Sequence, residues 1–123
     1  GICLKPNMVI NGSLSKIKSS PEEIASKTTK CFQDVVPDSV PGIVFLSGGQ
    51  TEIEATENLN AMNRIGEFPW NLSFSYGRAL QASALKAWDG KESNERLSSK
   101  AFSHRAKMNS LATLGQWSKD KEV

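Results

Sequence analysis

The residue best placed to do covalent chemistry is Lys5, in the run Ile2-Cys3-Leu4-Lys5-Pro6-Asn7-Met8. A lysine inside an apolar strand loses hydration, and burial without a partner lowers its pKa. An amine that is neutral near pH 7 can attack a carbonyl and form an imine. The competing reading is a lysine at a strand end whose ammonium snorkels to solvent. Two further constellations could hold an anion. Ser47-Gly48-Gly49 lies between an apolar run and a helix start, where glycines let backbone N–H groups approach an anion and the serine adds a hydroxyl donor. Ser75-Tyr76-Gly77-Arg78 repeats that placement, and Arg78 could clamp a phosphate in bidentate fashion beside the Gly77 amide. A ligand-free tight turn and an ordinary surface arginine are the plainer readings of each alone. Their order is what joins them, because both fall at the ends of successive strands, where barrel enzymes build phosphate sites.

Other reactive residue types form no such pattern. Cys3 and Cys31 match no metal-binding spacing and make no disulfide framework, so they are expected to be buried free thiols. His104 is the only histidine and lies on a polar helix, which leaves nothing to build a metal site or a hydrolytic triad and makes it a plain surface residue. Trp70, Trp88 and Trp117 sit in unrelated segments and are expected to anchor packing. Glu52, Glu54 and Glu57 crowd a helix start and complement its macrodipole.

These residues are positioned by alternating strands and helices. Gly1 to Val9 reads as a buried strand running into a loop at Lys5-Pro6. Ser20 caps a helix with Pro21 in its first turn and Glu23 closing a capping box; Ile24, Thr28, Cys31, Phe32 and Val35 form its apolar face, and Pro37 ends it. Ile43-Val44-Phe45-Leu46 is apolar on both faces, as in a parallel strand covered on both sides. A helix from Thr51 to Ile65 follows, with Ile53, Leu59 and Met62 on its apolar side. Then come a strand over Trp70 to Tyr76, a helix over Ala79 to Trp88, an Asp89-Gly90 turn and a long helix over Ser93 to Leu114. Gly115 is its expected C-cap, and the polar tail after it is expected to fray. Three βα units imply parallel strands with right-handed crossovers. Their helices cover one face of the sheet, and nothing in the chain is left to cover the other. An eight-stranded (β/α)₈ barrel resolves that mismatch, whereas an isolated three-stranded module would expose an apolar patch.

Composition narrows the classes. With 38% hydrophobic and 23% charged residues, the chain has the make-up of a folded domain and not of a disordered one. Basic and acidic residues alternate around a net charge of +2, and no basic cluster interleaves with aromatics, so no nucleic-acid partner is expected. Apolar runs are too short for a membrane span and no signal peptide opens the chain, which fits a cytoplasmic protein.

Taken together, Leu4-Lys5-Pro6-Asn7-Met8-Val9, Phe45-Leu46-Ser47-Gly48-Gly49-Gln50 and Ser75-Tyr76-Gly77-Arg78-Ala79-Leu80-Gln81 resemble the class I fructose-1,6-bisphosphate aldolases. Glu54 to Asn63 and Ala82 to Trp88 look like the same family, and the likeness runs from Gly1 to about Gln116. The resemblance implies an α/β fold: the last three βα units of a (β/α)₈ TIM barrel plus a long C-terminal helix. Residues 1–123 would be the carboxyl-terminal part of that single domain, with the N-terminal strands outside this chain. It further implies reversible cleavage of fructose 1,6-bisphosphate in glycolysis and gluconeogenesis without metal or cofactor. Lys5 matches the imine-forming lysine, and Ser47, Gly48, Gly77 and Arg78 match the site for the phosphate on the dihydroxyacetone side. The acidic residues and further lysines that move protons lie in earlier strands of the family and have no counterpart here. A homotetramer is implied for the intact enzyme, with actin a possible cytoskeletal partner. Two other readings stand beside this one: a phosphate-binding or scaffold piece without catalysis, and a different imine-forming aldolase on the same barrel, such as one acting on deoxyribose phosphate.

Overall fold

Three short strands and four helices follow one another in a computed structural model that describes residues 1–123. They are β1 (Cys3–Leu4), α1 (Pro21–Val35), β2 (Gly42–Phe45), α2 (Glu52–Ile65), β3 (Asn71–Phe74), α3 (Arg78–Trp88) and α4 (Glu95–Thr113). The sheet is parallel in the order β1-β2-β3, with Leu4 beside Ile43, Ile43 beside Leu72 and Phe45 beside Phe74. Pairing continues past the strands: the Leu46 amide donates to Pro6 O and the Ser75 amide to Phe45 O, each at 2.9 Å. The carboxyl ends of all three strands therefore stay side by side. β1 is shorter than the Gly1 to Val9 run expected, because Pro6 has no N–H to donate to a ladder.

Side chains alternate across a strand, so Leu4, Ile43, Phe45, Leu72 and Phe74 share the helix-covered face. Ile43, Phe45, Leu59 and Met62 are fully buried there, and Phe32 of α1 stacks on Phe45 with centroids 5.7 Å apart. Cys3, Val44 and Ser73 belong to the other face, where Cys3 is exposed and the other two are half-buried. Within this chain β2 is therefore covered on the helix side only, as expected of a sheet with nothing left to cover its other face.

Local chemistry explains where the helices begin. Ser20 Oγ accepts from the Glu23 amide at 3.2 Å, but the Glu23 carboxylate turns to Lys27 at 2.7 Å, so the expected capping box is half closed. A complete box forms at α2, where Thr51 Oγ1 accepts from the Glu54 amide and Glu54 Oε2 accepts from the Thr51 amide. The buried arc of α1 is Ile24, Ala25, Thr28, Thr29 and Phe32. Its small members let α1 lie close to α2, and the helix is turned so that Cys31 and Val35 face solvent. Cys3 and Cys31 are thus both exposed, not buried. Ile53 is likewise exposed, since α2 packs through Ala55, Leu59 and Met62.

Trp70 and Trp117 are buried packing anchors, with the Trp70 indole donating to Pro37 O at 3.0 Å; Trp88 is exposed. Gly115, at φ 65°, takes the left-handed conformation past α4, and its Cα lies too close to the Asn63 carbonyl for any Cβ to fit easily. The tail is not frayed. It turns through Lys119–Glu122 and is held by Glu122, whose carboxylate accepts from both terminal nitrogens of Arg105 at 2.9 and 2.8 Å. His104 is half-buried with Nε2 3.5 Å from Glu122 Oε2, within ion-pair range but long for a hydrogen bond.

Candidate active site

At the carboxyl end of the sheet a cleft of about 490 Å³ opens between two βα loops. Ser47, Gly48, Gly49, Gln50 and Thr51 form one wall from the β2–α2 loop, and Arg78 enters from the first residue of α3. The structure therefore brings together Ser47, Gly48 and Arg78, three of the residues expected to bind phosphate. Gly77, the fourth, is the N-cap of α3 and does not line the cleft. It supplies no side chain, and no other side chain caps α3, so of the first-turn amides only those of Arg78 and Ala79 remain for an outside acceptor, the Leu80 amide donating to Gly77 O at 3.1 Å.

The β2–α2 loop depends on its glycines. Gly49 has φ 77°, a conformation that disfavours other residues. A Cβ on Gly48 would stand 3.0 Å from Leu46 Cδ1 and 3.4 Å from Asn7 Nδ2. Asn7, two residues past Lys5, thus abuts the Ser47–Gly48 loop. Tyr76 closes the base of the second loop: its hydroxyl donates to Ala55 O at 2.8 Å, and burial pushes its pKa well above the ordinary phenol value.

Lys5 is exposed immediately after β1, which agrees with the reading of a lysine at a strand end and not with that of a desolvated amine inside a strand. The strand stops at Leu4, so no sheet neighbour covers the side chain. Alternation places Lys5 with Cys3 on the face away from the helices. It has no carboxylate within ion-pair distance and does not line the cleft.

Two more charged residues line the cleft: Glu54, read from the sequence only as one of three carboxylates at a helix start, and Lys18, which escaped the reading of motifs. Lys18, from the loop between β1 and α1, lines it and pairs with Glu54 at 3.5 Å. The Thr51 amide, with help from Lys18, holds the Glu54 carboxyl below the usual range despite partial burial. Lys18 and Arg78 together outweigh that single negative charge, so the cleft favours an anion. The Thr51-x-x-Glu54 signature could have shown that Glu54 closes a capping box. Nothing local to Lys18 marks it, since a long-range fold contact brings it there. No group of three or more His, Cys, Asp or Glu side chains stands close enough to hold a metal ion.

Comparison with known proteins agrees with the fold. The family model described as "Glycolytic: Fructose-bisphosphate aldolase class-I" matches residues 1–123. The fructose-bisphosphate aldolase of Dictyostelium discoideum is 54% identical over 123 residues, covering 100% of this chain and 34% of the relative. Cytosolic fructose-bisphosphate aldolase 4 of Arabidopsis thaliana is 57% identical over 124 residues, covering 100% and 32%. Chloroplastic relatives also match, one from Oryza sativa subsp. japonica at 51% identity over 100% of this chain and 31% of its own length. Among solved structures, Plasmodium falciparum fructose-bisphosphate aldolase, crystallised with TRAP and a small-molecule inhibitor, superposes with a TM-score of 0.91 at 46% identity. That superposition covers 94% of this chain and 33% of the other. The chain spans about a third of the length of the relatives it matches. With a family model matched along all its residues, this α/β chain belongs to the class I fructose-bisphosphate aldolases.

Proposed function

We propose that this chain supplies the imine-forming lysine and one phosphate site of a fructose-bisphosphate aldolase. The three βα units are then the last three of a closed (β/α)₈ barrel, and the strands that complete it cover the face carrying Cys3, Val44 and Ser73. The observation that supports this most is the single cleft in which Ser47, Gly48 and Arg78 converge from successive βα loops.

In that reading the cleft holds the phosphate on the dihydroxyacetone side of fructose 1,6-bisphosphate. The Arg78 guanidinium and Ser47 hydroxyl donate to its oxygens, and the open amides at the start of α3 face the same charge. The Lys5 amine attacks C2 of the open-chain ketose, and loss of water gives an iminium. A base removes the C4 hydroxyl proton, the C3–C4 bond breaks, and its electron pair moves onto the iminium as an enamine. Glyceraldehyde 3-phosphate departs. Protonation of the enamine at C3 and addition of water then release dihydroxyacetone phosphate and restore the amine. The base and acid come from barrel strands outside this chain. The barrel would also enclose Lys5 and provide the desolvation that the exposed position lacks. The compartment is the cytoplasm, the assembly a homotetramer, and actin a further protein partner.

Exposure of Lys5 favours a second reading, in which the chain binds phosphate or serves as a scaffold without imine chemistry. Titration with dihydroxyacetone phosphate, followed through backbone amide resonances, tests the part common to both. Shifts centred on Ser47, Gly48 and Arg78 are expected. Shifts confined to other residues, or none at millimolar ligand, would remove the phosphate assignment.

A further inference from the structure

Behind the cleft, a polar cluster joins α2, α3, α4 and the C-terminal turn. Glu52 opens α2, directly after the Thr51 cap. Its Oε1 accepts from the Ser83 hydroxyl, and its Oε2 accepts from the Ser83 amide at 3.3 Å. Arg105, 3% exposed, stands 3.6 Å from Glu52 Oε1 and donates to Thr56 Oγ1 at 3.1 Å. Glu122 engages the same guanidinium from the tail.

None of Glu52, Ser83 and Arg105 lines the cleft. Glu52 and Ser83 are nevertheless tied to its two walls. Glu52 directly follows the Ser47–Thr51 loop, and Ser83 lies five residues past Arg78 on α3. α3 packs chiefly on α4 and meets α2 lightly. The bonds from Ser83 to Glu52 are the only side-chain hydrogen bonds between α2 and α3. A carboxylate suits this task because both of its oxygens accept, one for each Ser83 donor. Arg105 fixes the carboxylate from the far side and offsets its charge.

We propose that Glu52 is a positioning residue for the anion cleft. Through Ser83 it sets how the start of α3, with Arg78, faces the Ser47–Gly48 loop. This inference rests on the phosphate reading of the cleft. Its physical basis is that a clamp built from two loops loses binding when one wall shifts by a fraction of an ångström to about 1 Å.

The test is the affinity of the full 123-residue chain for inorganic phosphate, read by NMR at the Gly48 and Arg78 amides. Glu52→Ala and Ser83→Ala should each weaken binding roughly fivefold, the effect of about one hydrogen bond. The double variant should be no weaker than the worse single one, because both changes break one link. Phe32→Leu, on the buried face of α1, should destabilise the fold and leave phosphate affinity of the folded chain unchanged. A merely structural role for Glu52 would make affinity follow stability, so that Phe32→Leu weakened binding as much. Where Glu52→Ala does not fold, Ser83→Ala alone decides. Wild-type affinity in Ser83→Ala, with weakened binding in Arg78→Ala, would overturn the positioning role and leave the cleft reading intact. No loss in Arg78→Ala, or no binding by the wild-type chain, would overturn both.

Discussion

Replacing Glu122 with alanine should destabilise the chain by about 2–3 kcal/mol, although the residue lies next to the last one. Its carboxylate accepts from Arg105 Nη1 and Nη2 and from the Trp117 indole at 2.8 Å. The side chains of Arg105 and Glu122 are only 4% and 13% exposed. Removing one partner of a buried pair costs about 3–5 kcal/mol, because the other charge is left without compensation. Here Glu52 at 3.6 Å and the Thr56 hydroxyl remain near the guanidinium, which places the expected loss at the lower end or below it. Loss of the Trp117 partner is included in that figure, at about 1 kcal/mol. For a chain of this size the melting temperature should fall by roughly 8–12 °C. Urea unfolding would measure the free-energy loss and a thermal scan the melting temperature, each followed by tryptophan fluorescence.

The same residue predicts a pH signature. Burial pushes the Glu122 carboxyl up, but hydrogen bonds from Arg105 and Trp117 outweigh it and hold the folded-state pKa below the usual 4.5. A depressed folded-state pKa means that the stabilisation is complete above 4.5 and is lost as pH falls through the folded value. His104 and Arg105 face the carboxylate from α4, and Trp117 faces it from the tail. The wild-type chain should therefore lose more stability between pH 5 and the acid limit than Glu122→Ala does. A loss below about 0.5 kcal/mol at neutral pH, with the two acid profiles parallel, would refute the claim that the tail is clasped.

Arg78→Ala should weaken phosphate binding about tenfold or more, since a charged donor contributes about 1.5–3 kcal/mol; calorimetry with inorganic phosphate would check it. Thr51→Ala removes the hydroxyl half of the α2 capping box and should lower stability by about 1 kcal/mol in urea unfolding, with Glu54 left to its single backbone bond. Cys3 and Cys31 should both react with a thiol reagent in the native chain, without the lag expected of buried thiols, and protection of either would contradict its exposure.

The rhythm of strand and helix, the helix cap at Ser20, and the two βα loops that line the cleft are legible in the sequence because each rests on residues a few positions apart. Hydrophobic period and turn chemistry act over that range. What the sequence hid depends on contacts between distant segments. The rotation of α1 that exposes Cys31 is set by close packing of Ala25 and Thr29, which periodicity alone does not rank above Val35. Lys18 reaches the cleft only because its loop folds over the start of α2. Glu122 sits in a run of charges that reads as solvated tail until Arg105 and Trp117 are seen around it. Lys5 illustrates the limit from the other side. Its apolar neighbours promise burial, but burial needs a covering element, and three strands leave that face open.

The central claim is that Lys5 forms the imine, and borohydride trapping tests it most directly. The chain is incubated with dihydroxyacetone phosphate, reduced, digested and mapped by mass spectrometry, with Lys5→Met as the control. A reduced adduct on the peptide containing Lys5, absent from the control, is the predicted result. A folded chain that binds phosphate at Arg78 but yields no adduct, or an adduct on another lysine, would contradict the claim and leave phosphate binding as the function of this chain.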